Sequence, residues 1–242
     1  RGSATPAMAV GADGSMYSAS VWAGTGHLGV GAAATAVTGY PERGHLGAWV
    51  VHKVSPAGEQ EWAWELHRGE PKGSNWPAEG TKNSKDSFGY IKDIQVDDSG
   101  TVYVVGYWHK AGTTPEGQTF WASTGNSDGV IFAINPDGTT KWFRGFHATR
   151  HAYLKAVDVD NNGSVVVAGK WNAWGTMMDN AGKSAPAVNS GPGAKPFVAK
   201  LDAETGSTEW SYWWNVCVDD WSVLEDVKFL SDGSVVAVGG YT

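Results

Sequence analysis

A stretch of about 15 residues recurs four times along this chain in one register, and that recurrence restricts the fold more than any other feature. The copies run Met8 to Met16, Ile94 to Val102, Val157 to Val165 and Val227 to Val235. Each places apolar residues six and four positions before a turn Gly (Gly14, Gly100, Gly163, Gly233) and another two after it. An aromatic follows eight residues after the Gly: Trp22, Trp108, Trp171 and Tyr241. Self-similarity of this kind marks stacked supersecondary units that bury their apolar faces only against one another.

A second motif alternates with the first. It reads Val50 to Gly58 with Trp62, Val130 to Gly138 with Trp142, and Phe197 to Gly206 with Trp210, the Trp falling four residues after the Gly each time. Short β-rich runs broken by Asp-Gly, Asn-Gly or Ala-Gly predict hairpins. The first motif supplies strands A and B, the second strands C and D. Four antiparallel strands repeated radially make the blade of a β-propeller.

The expected fold is therefore all-β, a β-propeller of four-stranded antiparallel blades. Blade 1 spans about 6–66, blade 2 about 91–145, blade 3 about 154–214 and a partial blade 4 about 225–242, within one segment covering 1–242. About 3.5 blades leave open edge strands, which a closed propeller removes. The chain is expected to be part of a larger closed propeller, completed by the rest of a longer polypeptide or by another copy.

Two stretches carry a family resemblance. Val157 to Gly169 and Phe197 to Asp202 are similar to bacterial-type seven-bladed propeller repeats, in which an Asp-rich hairpin precedes a second hairpin ending in Trp. That resemblance implies a fold and leaves activity open. Leu201 to Gly206 with Trp210 also resembles the tryptophan-docking repeat of quinoprotein dehydrogenases, which implies pyrroloquinoline quinone and Ca²⁺ in a propeller channel. The other two turns read Pro56-Ala57-Gly58 and Pro136-Asp137-Gly138, and one Cys cannot form the adjacent Cys pair of many such enzymes. The likeness is to the blade, and no cofactor is expected.

The composition of 33 Gly, 14 Trp and 18% charged residues suits a turn-rich β protein. A net charge of −7 argues against a nucleic-acid partner, which needs a basic footprint. No apolar run approaches the roughly 20 residues of a membrane-spanning helix, and residues 1–6 lack the apolar core of a signal peptide. Cys217 stands alone, so no intrachain disulfide is expected. Asn162-Gly163-Ser164 forms a formal glycosylation sequon inside an expected tight turn. The low charge and the abundance of Gly, Ser, Thr and Trp point to a secreted or cell-surface protein.

Loop lengths locate the expected functional face. Tight turns join A to B and C to D. The B–C stretches near 23–49, 109–129 and 172–196 and the D–A stretches near 67–90, 145–153 and 215–225 are expected to be long and to emerge on one side of the disc. Long loops on a rigid scaffold are where binding residues concentrate. Trp22, Trp62, Trp108, Trp142, Trp171 and Trp210 hold repeat positions and are expected to pack between blades. Trp76, Trp121, Trp174 and Trp221 fall in the loops near Asp86, His109, Asp179, Asp219 and Asp220, and are the candidate ligand- or partner-binding residues.

Asp158, Asp160 and Asn162 match the first half of a Ca²⁺ loop, but position 12 is Gly169 and position 9 is Val166, so an Asn-Gly hairpin turn is the expected role. His147 and His151 have the i, i+4 spacing of metal ligands without a helical pattern around them. No Ser/His/Asp set, phosphate loop or zinc motif is recognisable. Asp97-Asp98 and Asp219-Asp220 are adjacent acids, which on a strand face opposite ways. These residues predict a non-enzymatic structural or interaction module that binds protein or glycan through its long-loop face. The alternatives are a carbohydrate-binding, lectin-like propeller and a fragment of a quinoprotein-type oxidoreductase.

Overall fold

Tight turns and apolar runs together build repeated antiparallel sheets. The computed structural model describes residues 7–22, 25–28, 35–38, 48–68, 89–109, 111–121, 127–148, 151–160, 162–172, 175–178, 194–214 and 222–240. Unit 1 consists of β1 (Ala7–Val10), β2 (Met16–Trp22), β5 (Ala48–Val54) and β6 (Gln60–Arg68). Unit 2 consists of β7 (Gly89–Val96), β8 (Val102–His109), β11 (Ser127–Ile134) and β12 (Thr140–Ala148). Unit 3 consists of β13 (Ala152–Val159), β14 (Ser164–Asn172), β16 (Ala194–Asp202) and β17 (Thr208–Trp213). Unit 4 shows β18 (Val223–Phe229) and β19 (Val235–Gly240). Within each complete unit the four strands pair antiparallel in that order. The described residues thus form propeller-like sheets without a closed ring.

The first strands of neighbouring units, β1, β7, β13 and β18, pack against one another in series. They occupy the inner side of the array, and the fourth strands lie outside.

The hairpins follow from local chemistry. At the β7–β8 turn, Gly100 takes φ +87°, a left-handed conformation that side chains disfavour. Its N–H donates to the Asp97 carbonyl at 2.9 Å, and the Asp97 N–H donates to the Thr101 carbonyl at 3.0 Å. Asp97 Oδ1 accepts from the amides of Ser99 and Thr101, each at 2.9 Å, closing the loop with its side chain. Asp137 and Asp232, each directly before its turn Gly, close their turns differently, accepting the amide and the hydroxyl of Thr139 and of Ser234. The hydroxyls of Thr139 and Ser234, followed by the amides of the same residues, hold their carboxyls below the usual range.

Strands sandwiched between units are buried on both faces, so they read as unbroken apolar runs. Along β8, Val102 and Val104 join the core between units 1 and 2, whereas Tyr103 and Val105 join the core between units 2 and 3. Along β14, Val165 and Val167 face unit 2, and Val166 and Ala168 face unit 4. The first of these cores is aromatic. Phe132 lies 5.1 Å from Trp64, 6.0 Å from Trp49 and 5.6 Å from Phe143, ring centre to ring centre. Truncating such a buried ring to Ala removes about 3–5 kcal/mol.

Carboxylates stitch the inner strands together. Asp93 Oδ2 accepts the Val157 N–H at 3.0 Å, from unit 3. Asp158 Oδ2 accepts the Phe229 N–H at 2.7 Å, from unit 4. Each inner strand from β7 onward also carries a bulge, at Ile91/Asp93, Leu154/Ala156 and Leu224/Asp226.

Two features depart from the sequence expectation. The B–C stretches contain further strands: β3 (Thr25–Leu28) with β4 (Thr35–Thr38), β9 (Ala111–Thr113) with β10 (Thr119–Trp121), and β15 (Gly175–Met178). β9 pairs with β6, and β15 pairs with β12, so the insertions of units 2 and 3 each extend the outer edge of the preceding unit. Phe120 of β10 enters the first core, 5.4 Å from Phe132. The D–A connection between units 2 and 3 is also short. β12 continues to Ala148 and β13 begins at Ala152, because Trp142, Phe146 and Ala148 go on burying one face of the strand against unit 3.

Of the six repeat tryptophans, Trp108, Trp142 and Trp171 are buried, and Trp22 and Trp62 are partly buried. Trp210 departs from its expected packing role and is 40% exposed.

Candidate functional site

The bulged inner strands place tyrosines and lysines at one end of units 2 and 3. That end is where β8 and β12 finish and β7, β11 and β13 begin, the side from which the B–C and D–A stretches leave. On β7, Tyr90 and Lys92 alternate with the core residue Ile91; on β13, Tyr153 and Lys155 alternate with Leu154. Cross-strand pairing sets Tyr90 opposite Tyr107 and Tyr153 opposite Lys170.

These side chains meet across the unit boundary. The Tyr90 and Tyr107 rings lie 5.1 Å apart, and Tyr107 meets Tyr153 edge-to-face at 4.6 Å and 82°. His151 stacks on Tyr153 at 5.6 Å and 14°. Lys92 Nζ sits 5.7 Å from the Tyr90 ring centre and 5.6 Å from that of Tyr107, and Lys170 Nζ sits 5.7 Å from Tyr153. All three are distances at which ring faces attract cations. All six residues are half-buried, so the row presents ring and ammonium surface to solvent.

Electrostatics vary along the row. Burial pushes the Lys92 ammonium down from the ordinary lysine value. The Lys155 charge adds to that, and Glu225 partly offsets it. Burial raises the Tyr107 and Tyr153 hydroxyls, with a hydrogen bond to Ser127 opposing the rise at Tyr153. Glu225 forms an ion pair with Lys155 at 3.0 Å. At the same end, the His147 Nδ1–H donates at 2.6 Å to Asp128, which is fully buried.

Of the residues singled out from sequence, His151 belongs to this row and His147 lies at the same end. Trp76, Trp174 and Trp221 lie outside the described residues, as do Asp86, Asp179, Asp219, Asp220 and Cys217. Trp121 closes β10, its backbone opposite Ala111, and its side chain lies outside the described set.

Of the Ca²⁺-loop candidates Asp158, Asp160 and Asn162, the two carboxylates are engaged by protein donors. Asp158 accepts from Lys228 Nζ at 2.8 Å and from the Phe229 amide, while Asp160 Oδ1 accepts the Asn162 and Ser164 amides at 2.8 and 2.9 Å. These carboxylates close a turn and a unit boundary. Among the described residues no three His, Cys, Asp or Glu side chains gather as a metal site. His147 and His151 engage different partners, Asp128 and Tyr153.

Sequence reasoning passed over the tyrosine–lysine row because it sits inside strands. Its signal is a Tyr-X-Lys triplet at equivalent positions, Tyr90-Ile91-Lys92 and Tyr153-Leu154-Lys155.

No protein-family model matches the sequence, and no curated protein matches it. Solved structures of three rhamnogalacturonan lyases are similar in part. YesW is 16% identical with a TM-score of 0.32, covering 86% of this chain and 40% of its own. The Bacillus licheniformis PL11 enzyme is 15% identical with a TM-score of 0.34, covering 88% of this chain and 41% of its own. The exotype enzyme YesX is 15% identical with a TM-score of 0.33, covering 88% and 40%. The chain spans about two fifths of the length of these proteins.

Proposed function

We propose that this chain is a binding module that takes an acidic glycan on the inner-strand face of units 2 and 3. The observation that carries the reading is the row Tyr90, Tyr107, Tyr153 and His151, joined ring to ring and flanked by Lys92 and Lys170. Half-exposed rings offer flat apolar surface to the C–H face of a sugar, and ammonium groups beside them pair with a uronate carboxylate. In a chain of net charge −7, cations gathered on this face set its preference against the overall field. The rigid strands beneath hold the rings in register without a loop having to order.

Calorimetric titration with oligogalacturonides, with rhamnogalacturonan fragments (from the polymer for which the matched lyases are named), and with a neutral glucan of equal length tests this. Acidic oligosaccharides are expected to bind, and Tyr107→Ala to weaken them about tenfold, equal to about 1.4 kcal/mol. Lys92→Ala is expected to erase the preference over the neutral glucan. Equal binding by all three proteins, or no heat with any glycan, would overturn the reading.

A further inference from the structure

Each complete unit with a full neighbour grips that neighbour through two side chains of its fourth strand. In unit 1, Trp62 donates its indole N–H to the Pro136 carbonyl at 2.8 Å, and Trp64 donates to Thr140 Oγ1 at 2.8 Å. In unit 2, Trp142 donates to the Ala203 carbonyl at 2.9 Å, and the Arg144 Nε–H donates to the Gly206 carbonyl at 2.7 Å. Pro136 and Ala203 lie in the turns between third and fourth strands of the next unit. The turn glycines Gly138 and Gly206 lie against the Trp62 and Trp142 rings, where no Cβ would fit without displacing them.

The same two positions in unit 3 are Trp210 and Tyr212, and they are 40% and 58% exposed, against 3% for Trp142. Beside them, β19 pairs on one side with β18 and with no other described strand. In the complete units the strand that covers the second strand is the third strand of the same unit, which follows it in sequence: β5 after β2, β11 after β8, β16 after β14. We propose that Trp210 and Tyr212 are a docking clamp for the third-to-fourth-strand turn of unit 4, carried on a hairpin covalently continuous with β19.

The chemistry of that hairpin is set by the two filled clamps. Its first strand pairs antiparallel along β19. Its turn ends in a Gly that lies flat on the Trp210 ring, and a carbonyl two or three residues before that Gly accepts from Trp210 Nε1. A second copy of the chain offers no such hairpin, because each of its three is already paired with its own second strand. The clamp lies on the outer strand of unit 3, so this proposal stands apart from glycan binding.

Grafting tests it. Thr242 occupies the position of His109 and of Ala23, so residues 110–148 or residues 24–68 appended after Thr242 each supply a hairpin of the required kind. Hydrogen exchange would be followed at the β19 amides, Val235–Gly240, and at the Trp210 indole N–H. With at least one graft, both are expected to exchange about tenfold more slowly or less than in the 242-residue chain. Trp210→Phe should lower the denaturation midpoint of that grafted chain and leave the ungrafted one unchanged. Two grafts that both leave β19 unprotected would overturn the proposal. So would β19 protection in the ungrafted chain that rises with protein concentration, which would make a second copy the occupant.

Discussion

The indole N–H of Trp142 donates to the main-chain carbonyl of Ala203 at 2.9 Å, a bond between two units and across 61 residues of sequence. Trp62 and Pro136 make the same bond one unit earlier. Neither bond belongs to a sheet ladder, so each reports on the interface between units. Trp142→Phe keeps most of the buried ring and removes the donor, and is expected to cost about 1–2 kcal/mol. Trp142→Ala is expected to cost about 3–5 kcal/mol. Trp210→Phe in the 242-residue chain should stay within about 0.5 kcal/mol, as exposed substitutions do. Urea denaturation of the three variants checks the ranking, and equal losses at Trp142 and Trp210 would contradict it.

A second prediction concerns the glycines opposite the bulges. A Cβ at Gly169 would overlap the carbonyl oxygen of Tyr153, and one at Gly106 would overlap that of Tyr90. The obstructing atom is backbone held in a paired strand, so it cannot rotate away. Gly169→Ala is expected to lose about 3 kcal/mol, the upper end of ordinary overpacking. Gly240 has no atom within 4 Å of its would-be Cβ, so Gly240→Ala serves as the silent reference. Calorimetric unfolding of the two variants should separate them by several degrees; coincident transitions would mean that the bulge yields.

The hairpin framework was legible in the sequence because it rests on local rules. Gly14, Gly58, Gly100, Gly138, Gly163, Gly206 and Gly233 punctuate the copies, and all seven take positive φ. The insertions were not legible. β9 and β15 are three and four residues long and are fixed by a partner in the preceding unit, which no local periodicity encodes, and β10 follows only by pairing with β9. The tyrosine–lysine row escaped for a related reason. Tyr107 reads as one more apolar residue of β8, and only the approach of Tyr153 from the next unit makes the pair a surface. Trp210 shows the converse: its sequence position matches Trp62 and Trp142, but exposure depends on the neighbouring turn.

Two carboxylates should act on stability in opposite directions as pH changes. Burial raises the Asp93 carboxyl above 3.8, and the Val157 and Ile94 amides only partly offset that rise. Its folded form therefore holds a proton more tightly than its unfolded form, so its contribution is fullest below 3.8 and is lost as pH rises through the raised value. Asp202 is held below 3.8, first by the Thr205 hydroxyl and then by the Thr205 amide. Its contribution is present above 3.8 and disappears as pH falls through the lowered value. Denaturation midpoints followed down from pH 7 should show Asp93→Asn removing a stabilisation that grows on acidification, and Asp202→Asn removing one that fades. Parallel profiles for both variants would contradict these assignments.

Lys92 ties the proposed binding face to pH. Its ammonium is pushed down from 10.5 by burial and then by the Lys155 charge, with Glu225 opposing. A uronate stays ionised throughout the alkaline range, so loss of attraction there must come from the protein. Burial holds the Tyr107 and Tyr153 hydroxyls neutral to higher pH than an ordinary tyrosine, so these two do not supply the first new negative charge. Affinity for an oligogalacturonide should hold at neutral pH and fall about tenfold before the ordinary lysine range is reached, the size of one charge-assisted contact. Lys92→Arg keeps the charge, since guanidinium does not titrate there, and should flatten the decline while preserving neutral-pH binding. An unchanged pH profile in Lys92→Arg would move the titrating group elsewhere and take Lys92 out of the binding face.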